Sequence, residues 1–162
     1  MHYRQTRAEI STTAIAHNAQ WVRKTMVGGK LLGVVKADGY GHGVVHAANA
    51  LAVREAGYQG ALVILEGCFS ASELTVCAEY NLSPVVHCEQ QLQAIEQTAL
   101  NKPLWVWLKV DTGMHRLGWS EEQAQQVLVR LNASQNVAGV TLMSHLANAD
   151  ADHELNAEQK RL

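Results

Sequence analysis

Two lysines lie at the ends of apolar runs that have the length of buried β-strands. Lys36 comes directly after residues 31–35, and Lys109 lies near the end of residues 104–110. Burial disfavours the charged form of a lysine and lowers its pKa, and a neutral amine is a nucleophile that can form a Schiff base. The structural alternative is an ammonium group that reaches solvent, or, for Lys109, one that pairs with Asp111.

A glycine-rich segment follows Lys36. Gly39, Gly41 and Gly43 occur within five residues and precede a segment with helical character. Their G-x-G-x-G spacing is neither the dinucleotide-binding fingerprint nor a P-loop. Glycines let the backbone approach a ligand closely, and the amino terminus of a helix favours an anion such as phosphate. This segment therefore strengthens the functional interpretation of Lys36.

Two other candidate side chains follow the later apolar runs. Arg116 lies in a loop between Gly113 and Gly118, and His145 comes two residues after the run 138–143. Taken alone, Arg116 can be a solvated surface charge and His145 a satisfied core histidine. Their position after predicted strands is what makes them candidates.

The apolar runs alternate regularly with segments of helical period. The runs do not alternate polar with apolar residues, which indicates strands buried on both faces, as in parallel sheets. This order predicts an α/β fold, either an open doubly wound sheet or a (β/α)₈ barrel. In both, ligands bind at the carboxyl ends of the strands, so we expect the candidate side chains on one rim. The predicted strands are residues 31–35, 61–65, 84–87, 104–110 and 138–143, with Pro84 and Pro103 marking the starts of two of them.

Six helices are predicted around these strands. Two open with a capping box, in which a serine caps the helix and a Glu or Gln three residues later binds back. The others are located by a capping residue or by apolar residues three or four positions apart. The first helix begins at Ser11, and the second runs from about Val44 to Gly57. The third opens at Ser70-x-x-Glu73, and the fourth carries Leu92, Ile95 and Ala99. The fifth opens at Ser120-x-x-Gln123, and the sixth begins near Asp152.

The composition is that of an ordinary globular protein and argues against two classes of partner. Of 162 residues, 48% are hydrophobic and 17% charged, and the net charge is −2. Without a basic cluster we expect no nucleic-acid partner, and without an apolar run of about 18 residues no membrane partner. No signal segment is visible, so we expect a cytoplasmic location. The three cysteines lack metal-binding spacing and are expected to be reduced thiols, and no metal site is predicted.

Three segments of the chain resemble bacterial alanine racemase. They are residues 34–43, with the sequence VVKADGYGHG, residues 108–118, LKVDTGMHRLG, and residues 144–147, SHLA. The resemblance covers nearly the whole chain. It implies an enzyme of fold type III that depends on pyridoxal 5'-phosphate (PLP) and interconverts L- and D-alanine to supply D-alanine for peptidoglycan. It also implies an N-terminal (β/α)₈ TIM-type barrel, a C-terminal β domain and a homodimer.

The resemblance assigns a role to each candidate residue. Lys36 would hold PLP as an internal aldimine and act as one of the two racemisation bases. Tyr40 would hydrogen-bond the cofactor phosphate, and His145 would pack against the pyridine ring. Arg116 would face the phenolic oxygen of PLP, and Lys109 matches a lysine that is often carbamylated and then pairs with that arginine. In such an enzyme PLP is the electron sink, while the protein supplies orientation and bases.

Several parts of the family pattern have no counterpart in this sequence. Residues 1–162 correspond to a partial N-terminal PLP-binding barrel domain with about five of its eight β–α units. We expect the last strands and the C-terminal β domain, whose tyrosine from the partner subunit is the family's second base, to have no counterpart in residues 1–162. Residues 50–57 resemble the end of a later helix, so we expect an internal deletion of roughly one β–α unit near residues 49–53. We therefore expect a truncated chain that is inactive alone, and a homodimer for the full-length family rather than for this chain.

Three alternatives stay open. The chain can be a non-enzymatic PLP-binding barrel protein, although the stretch 111–118 does not occur in such proteins. It can be the non-functional product of a disrupted gene. It can also descend from a related racemase for serine or a basic amino acid, because most substrate-facing residues belong to the missing part.

Overall fold

The computed structural model describes residues 12–25, 50, 54, 59–151 and 154–161. The chain divides into two units, residues 1–33 and residues 34–162. In the first unit the described element is helix α1, Thr12–Thr25, which confirms the first predicted helix. The predicted cap at Ser11 and the predicted strand at residues 31–35 lie outside the described residues.

The second unit contains a parallel sheet whose strands alternate with helices, as predicted. The described strands pair side by side in chain order, β1-β2-β3-β4. Of the predicted helix at 44–57, only Ala50 and Arg54 are described, and both are helical. The elements are β1 Leu62–Ile64, α2 Ala71–Tyr80, β2 Leu82–Val86, α3 Glu89–Gln97, β3 Leu104–Lys109, α4 Glu121–Ala133, β4 Val137–Met143 and α5 Glu154–Gln159.

Both predicted capping boxes are present. In α2, the Ser70 hydroxyl accepts the Glu73 N–H at 3.3 Å, and the Glu73 carboxylate accepts the Ser70 N–H at 3.1 Å. In α4, Ser120 and Gln123 form the same reciprocal pair at 3.3 and 3.2 Å. Each box satisfies amide groups that a helix start leaves without partners, and so fixes where the helix begins.

Two local predictions are wrong. Pro84 lies inside β2 rather than at its start, because β2 begins at Leu82. The strand tolerates a proline there because its pairing changes partner next to that residue: residues 82–84 lie against β1, and residues 85–86 lie against β3. Ala99 lies beyond helix α3, which ends at Gln97, and it is exposed.

Helices α2, α3 and α4 cover one face of the sheet, and their buried side chains form the hydrophobic core together with those of the strands. Leu104, Val106 and Leu108 alternate along β3 and are fully buried against this core. Because side chains alternate between the faces of a strand, Trp105 and Lys109 lie on the opposite face. Trp105 is 51% exposed there, and its indole N–H donates to the Thr141 hydroxyl at 2.7 Å. Residues on that second face, not those of the core, are available to a ligand.

Long polar side chains form hydrogen bonds that connect successive β–α units at the amino ends of the strands. The Arg54 guanidinium donates to the carbonyl oxygens of Gly60, Tyr80 and Asn81 at 3.0–3.1 Å. The Asn136 amide donates to the carbonyl oxygens of Ile95 and Thr98 at 2.6 and 2.7 Å. Except for that of Gly60, these carbonyl groups lie at helix ends, where no intrahelical donor is available.

The three cysteines are free thiols, as predicted. Cys68 and Cys77 are buried, with their Sγ atoms 3.4 Å apart. The hydrogen bond with Cys77, together with burial, raises the pKa of the Cys68 thiol well above its ordinary value. Within the described residues, no helix has the length and apolar character that a membrane crossing needs.

Candidate functional site

A pocket lies at the carboxyl ends of β3 and β4. Lys109 is the last residue of β3, is only 7% exposed and is aligned with Met143, the last residue of β4. The pocket is a shallow depression that is partly open to solvent and encloses no water-sized cavity. The residues that line it include Lys109, Asp111, Met114, Arg116, Ser144 and His145.

One wall of the pocket is the loop that follows β3, and the Asp111 carboxylate organises it. Its Oδ1 accepts the backbone N–H groups of Gly113 at 3.0 Å and His115 at 2.9 Å, and its Oδ2 lies 3.1 Å from the His115 ring. The backbone N–H of His115, helped by that of Gly113, lowers the pKa of the Asp111 carboxyl, although burial acts in the opposite direction. Asp111 is therefore a fixed anion that shapes the loop.

The end of this loop requires a glycine. Gly118 has a φ of +126°, and a Cβ atom there would lie 2.9 Å from the Asp111 nitrogen. Just beyond it, Trp119 donates its N–H to the Lys109 carbonyl at 3.0 Å and accepts the Asp111 N–H at 2.8 Å. This closure brings the loop back to the strand it left, and the exposed Arg116 belongs to the loop.

The second wall is the loop that follows β4, and it is joined to the first. The hydroxyl groups of Thr112 and Ser144 lie 2.6 Å apart. The Gln159 side chain, 4% exposed at the end of α5, donates to Thr112 Oγ1 and to the His145 carbonyl, both at 3.1 Å. Its Oε1 accepts the Ala147 N–H at 2.9 Å. Three segments of the chain thus meet behind the pocket.

The structure brings three of the predicted site residues together. Lys109, Arg116 and His145 line the same pocket. Lys109 ends β3 and Arg116 lies in the loop that follows it, whereas His145 lies in the loop after β4. Lys36 and Tyr40 lie outside the described residues, so their predicted roles remain predictions.

Sequence reasoning missed the residues that connect the two walls. Thr112 and Ser144 stand next to predicted site residues, but nothing in their spacing indicates that they meet. Gln159 gives no signal at all, because a glutamine in a short helix is ordinarily exposed. Only the tertiary arrangement identifies it.

A second buried glutamine performs a similar task at the neighbouring strand ends. Gln91 is 2% exposed, donates to the Glu66 carbonyl at 2.8 Å and accepts the His87 N–H at 2.9 Å. It joins the turn after β1 to the end of β2. A side chain at Gly67 would collide with it, since a Cβ atom there would overlap the Gln91 amide nitrogen.

The parallel sheet, its alternating helices and the pocket at the carboxyl strand ends are features of a β/α-barrel type of domain. Residues 10–162 match the alanine racemase N-terminal domain family, and the chain belongs to that family. It is 44% identical over 173 aligned positions to the alanine racemase of Pseudomonas entomophila, covering 97% of this chain and 48% of that protein. Against the alanine racemase of Shewanella sediminis, the identity is also 44%, over 160 positions that cover 89% of this chain and 45% of the relative.

Solved structures agree with this assignment. The biosynthetic alanine racemase from Pseudomonas aeruginosa superposes with a TM-score of 0.82 at 32% identity, covering 94% of this chain and 47% of that one. The alanine racemase from Acinetobacter baumannii gives 0.75 at 31% identity over 94% of this chain and 50% of that one. The predicted TIM-type barrel with parallel strands is therefore confirmed, and the chain covers part of it. It spans about half the length of the relatives it matches.

The alignment also bears on the expected internal deletion. The 173 aligned positions shared with the Pseudomonas entomophila protein exceed the 162 residues of this chain. The relative therefore has residues without a counterpart here. Their location near residues 49–53 remains a prediction.

Proposed function

We propose that this chain supplies the PLP-binding part of an alanine racemase, which interconverts L- and D-alanine in the cytoplasm and provides D-alanine for peptidoglycan. The observation that carries the proposal is that Lys109, Arg116 and His145 line one pocket. They come from two separate segments, and both segments fall within the region that matches the family.

The side chains of this pocket suit PLP, which is an anionic aromatic aldehyde. Arg116 offers a permanent positive charge and fixed donors for an anionic oxygen. His145 offers a flat ring that can pack against a pyridine, and Met114 adds a polarisable thioether to the lining. When bound, PLP supplies the electron sink that makes removal of an α-proton feasible.

Lys109 suits the carbamylation proposed for it. It lies buried at the end of β3 and lines the same pocket as Arg116. A carbamate there would place a negative charge beside Arg116 and hold the guanidinium toward the cofactor. This part of the proposal explains why a strand-end lysine lines the same pocket as an arginine.

Lys36 and Tyr40 complete the proposed site. In the proposal Lys36 binds the cofactor covalently and acts as one base, and Tyr40 binds the phosphate. Racemisation needs a proton removed from one face of the substrate and returned to the other, so a second base must stand opposite Lys36. The family resemblance assigns it to a tyrosine of the partner subunit, which makes a homodimer part of the proposal for the whole protein.

A labelling experiment tests the cofactor assignment. The purified chain is incubated with PLP, reduced with borohydride to fix any lysine-bound cofactor, and digested for mass spectrometry. We expect the added mass on the peptide that contains Lys36, and its loss in Lys36→Ala. The matched control is Lys102→Ala, which removes an exposed lysine outside the pocket and should leave the labelling intact. Labelling that survives in Lys36→Ala would contradict the assignment.

A second assay tests the reaction class without requiring both bases. Exchange of the alanine α-proton for solvent deuterium needs the cofactor and a single base, so the PLP-loaded chain should catalyse exchange even though racemisation, which needs the second base, is not expected of this chain alone. Serine and lysine, run in parallel, show whether the preference is for alanine. Binding without exchange would favour a non-enzymatic PLP-binding protein, and absence of binding would favour the product of a disrupted gene.

A further inference from the structure

Gln159 uses its whole side-chain amide to join two loops. Its Oε1 accepts one N–H, from Ala147, and its Nε2 donates to the Thr112 hydroxyl and the His145 carbonyl. All three hydrogen bonds measure 2.9–3.1 Å, within the normal range. The side chain is 4% exposed, so water cannot readily replace these partners.

The groups that Gln159 binds stand next to the residues that line the pocket. Thr112 follows Asp111 in the wall that contains Arg116, and the His145 carbonyl belongs to the second wall. Gly113 packs against the glutamine, since a Cβ atom there would lie in ordinary van der Waals contact, 3.5 Å from the Gln159 Cγ. Gln159 therefore stands behind the pocket, between its two walls.

We propose that Gln159 is a positioning residue, which sets the separation between the Arg116 loop and the His145 loop and so holds both side chains at the cofactor. This inference rests on the proposed function, because the cofactor is what the two loops would hold. Gln159 itself is not among the residues that line the pocket. It acts through the backbone and hydroxyl groups to which it is bonded.

Replacement of Gln159 should disturb the loops more than it disturbs the core. A leucine has similar volume but leaves the Ala147 N–H and the His145 carbonyl without these partners, and buried polar groups without partners are costly. A glutamate keeps an acceptor for Ala147 but loses both donors. We therefore expect both variants to loosen the connection between the walls.

Gln91 provides the control that separates positioning from general stability. It is equally buried and makes similar bonds, but it joins the Glu66 turn to His87 instead of the pocket walls. Gln91→Leu should therefore destabilise the chain to a similar extent without affecting the two loops of the pocket.

The experiment measures amide hydrogen exchange and PLP affinity of the full chain in Gln159→Leu, Gln91→Leu and the unmodified protein. We expect Gln159→Leu to speed local exchange of the Ala147 amide about tenfold, as for one lost hydrogen bond, and to weaken PLP binding. Gln91→Leu should leave both unchanged after correction for overall stability. Equal effects in the two variants, or no effect in Gln159→Leu, would overturn the proposal.

If Gln159→Leu does not fold, Thr112→Val replaces it in the experiment. This milder change removes one hydrogen bond to Gln159 and the contact with Ser144. Thr112→Ser, which keeps the hydroxyl, should restore PLP affinity and the protection of Ala147. Failure of that rescue would count against the proposal. If the unmodified chain does not bind PLP, the proposed function fails, whereas Ala147 exchange still decides whether Gln159 holds the loops.

Discussion

The carboxylate of Asp111 holds the loop that carries Arg116, and it does so as an anion. A carboxyl group whose pKa is lower in the folded than in the unfolded state stabilises the fold above the unfolded value, and that stability is lost as the pH falls through the folded pKa. The hydrogen bonds from His115 and Gly113 lower the pKa of Asp111 below its ordinary value of 3.8. Its contribution is thus complete near neutral pH and disappears in the acidic range below about 4.

Asp111→Asn should therefore lower the free energy of unfolding at pH 7 by about 1 kcal/mol, because asparagine is a weaker acceptor for the two amides. The difference from the unmodified chain should shrink as the pH falls below 4, where Asp111 itself becomes protonated. Urea unfolding at a series of pH values measures this. Asp150→Asn, at an exposed position, is the control and should show little change at any pH. A difference that is independent of pH would refute the role of the charge.

Two glycines of the same loop differ in a way that can be measured. Gly113 and Gly118 have similar φ angles, +129° and +126°, so an alanine at either position is strained by about 1–3 kcal/mol. Only at Gly118 would the new Cβ atom also meet backbone, the Asp111 nitrogen, at 2.9 Å. We expect Gly118→Ala to be clearly more destabilising than Gly113→Ala, as measured by denaturant midpoints. Equal midpoints would mean that φ strain alone decides the cost.

Between elements, Asn136 connects the turn before β4 to the end of α3. Asn136→Asp replaces the donor by an acceptor that faces two carbonyl oxygens, and we expect a loss of about 1–3 kcal/mol in the free energy of unfolding. Asn132→Asp makes the same chemical change on the exposed surface of α4 and serves as the control. Thermal and urea unfolding should separate the two variants. If they unfold alike, Asn136 does not fasten these elements.

The elements that sequence alone predicted well are those that local chemistry decides. The capping boxes at Ser70 and Ser120 need only residues three positions apart, and they are present as predicted. Pro84 failed as a strand start because the partners of β2, not its own sequence, decide where a proline can be accommodated. Ala99 failed because α3 ends at Gln97, with the Thr98 N–H and hydroxyl both turned back to the Ala94 carbonyl.

The sequence could predict which site residues lie close together only where the order of the strands places them at the same edge of the sheet. Lys109 ends β3 and His145 follows the neighbouring parallel strand β4, so their meeting at one rim could be expected. Gln159 could not, because its burial depends on how a short helix packs behind two loops. Such contacts join residues 47 positions apart, as between Thr112 and Gln159, and no local pattern encodes them.

At the scale of the whole molecule, binding of PLP should raise the free energy of unfolding of the chain. A ligand that binds only the folded state adds about 2.7 kcal/mol to the free energy of unfolding at 100 times its dissociation constant. We therefore expect PLP to raise the melting temperature of the chain. The shift should disappear in Lys36→Ala and persist in Lys102→Ala, as measured by thermal denaturation with and without PLP. A shift of equal size in Lys36→Ala would place binding elsewhere.

Among the described residues, the hydrogen bonds that connect the two pocket walls join positions within 104–161, a stretch that begins with β3. This stretch carries Lys109, Arg116, His145 and Gln159 together. If related genes recombined at points outside this stretch, these four residues would be inherited together. The hydrogen bonds that hold them in place would be inherited with them. Lys36, the proposed covalent anchor, lies upstream of that stretch, so the anchor and the pocket walls can be exchanged, lost or engineered separately.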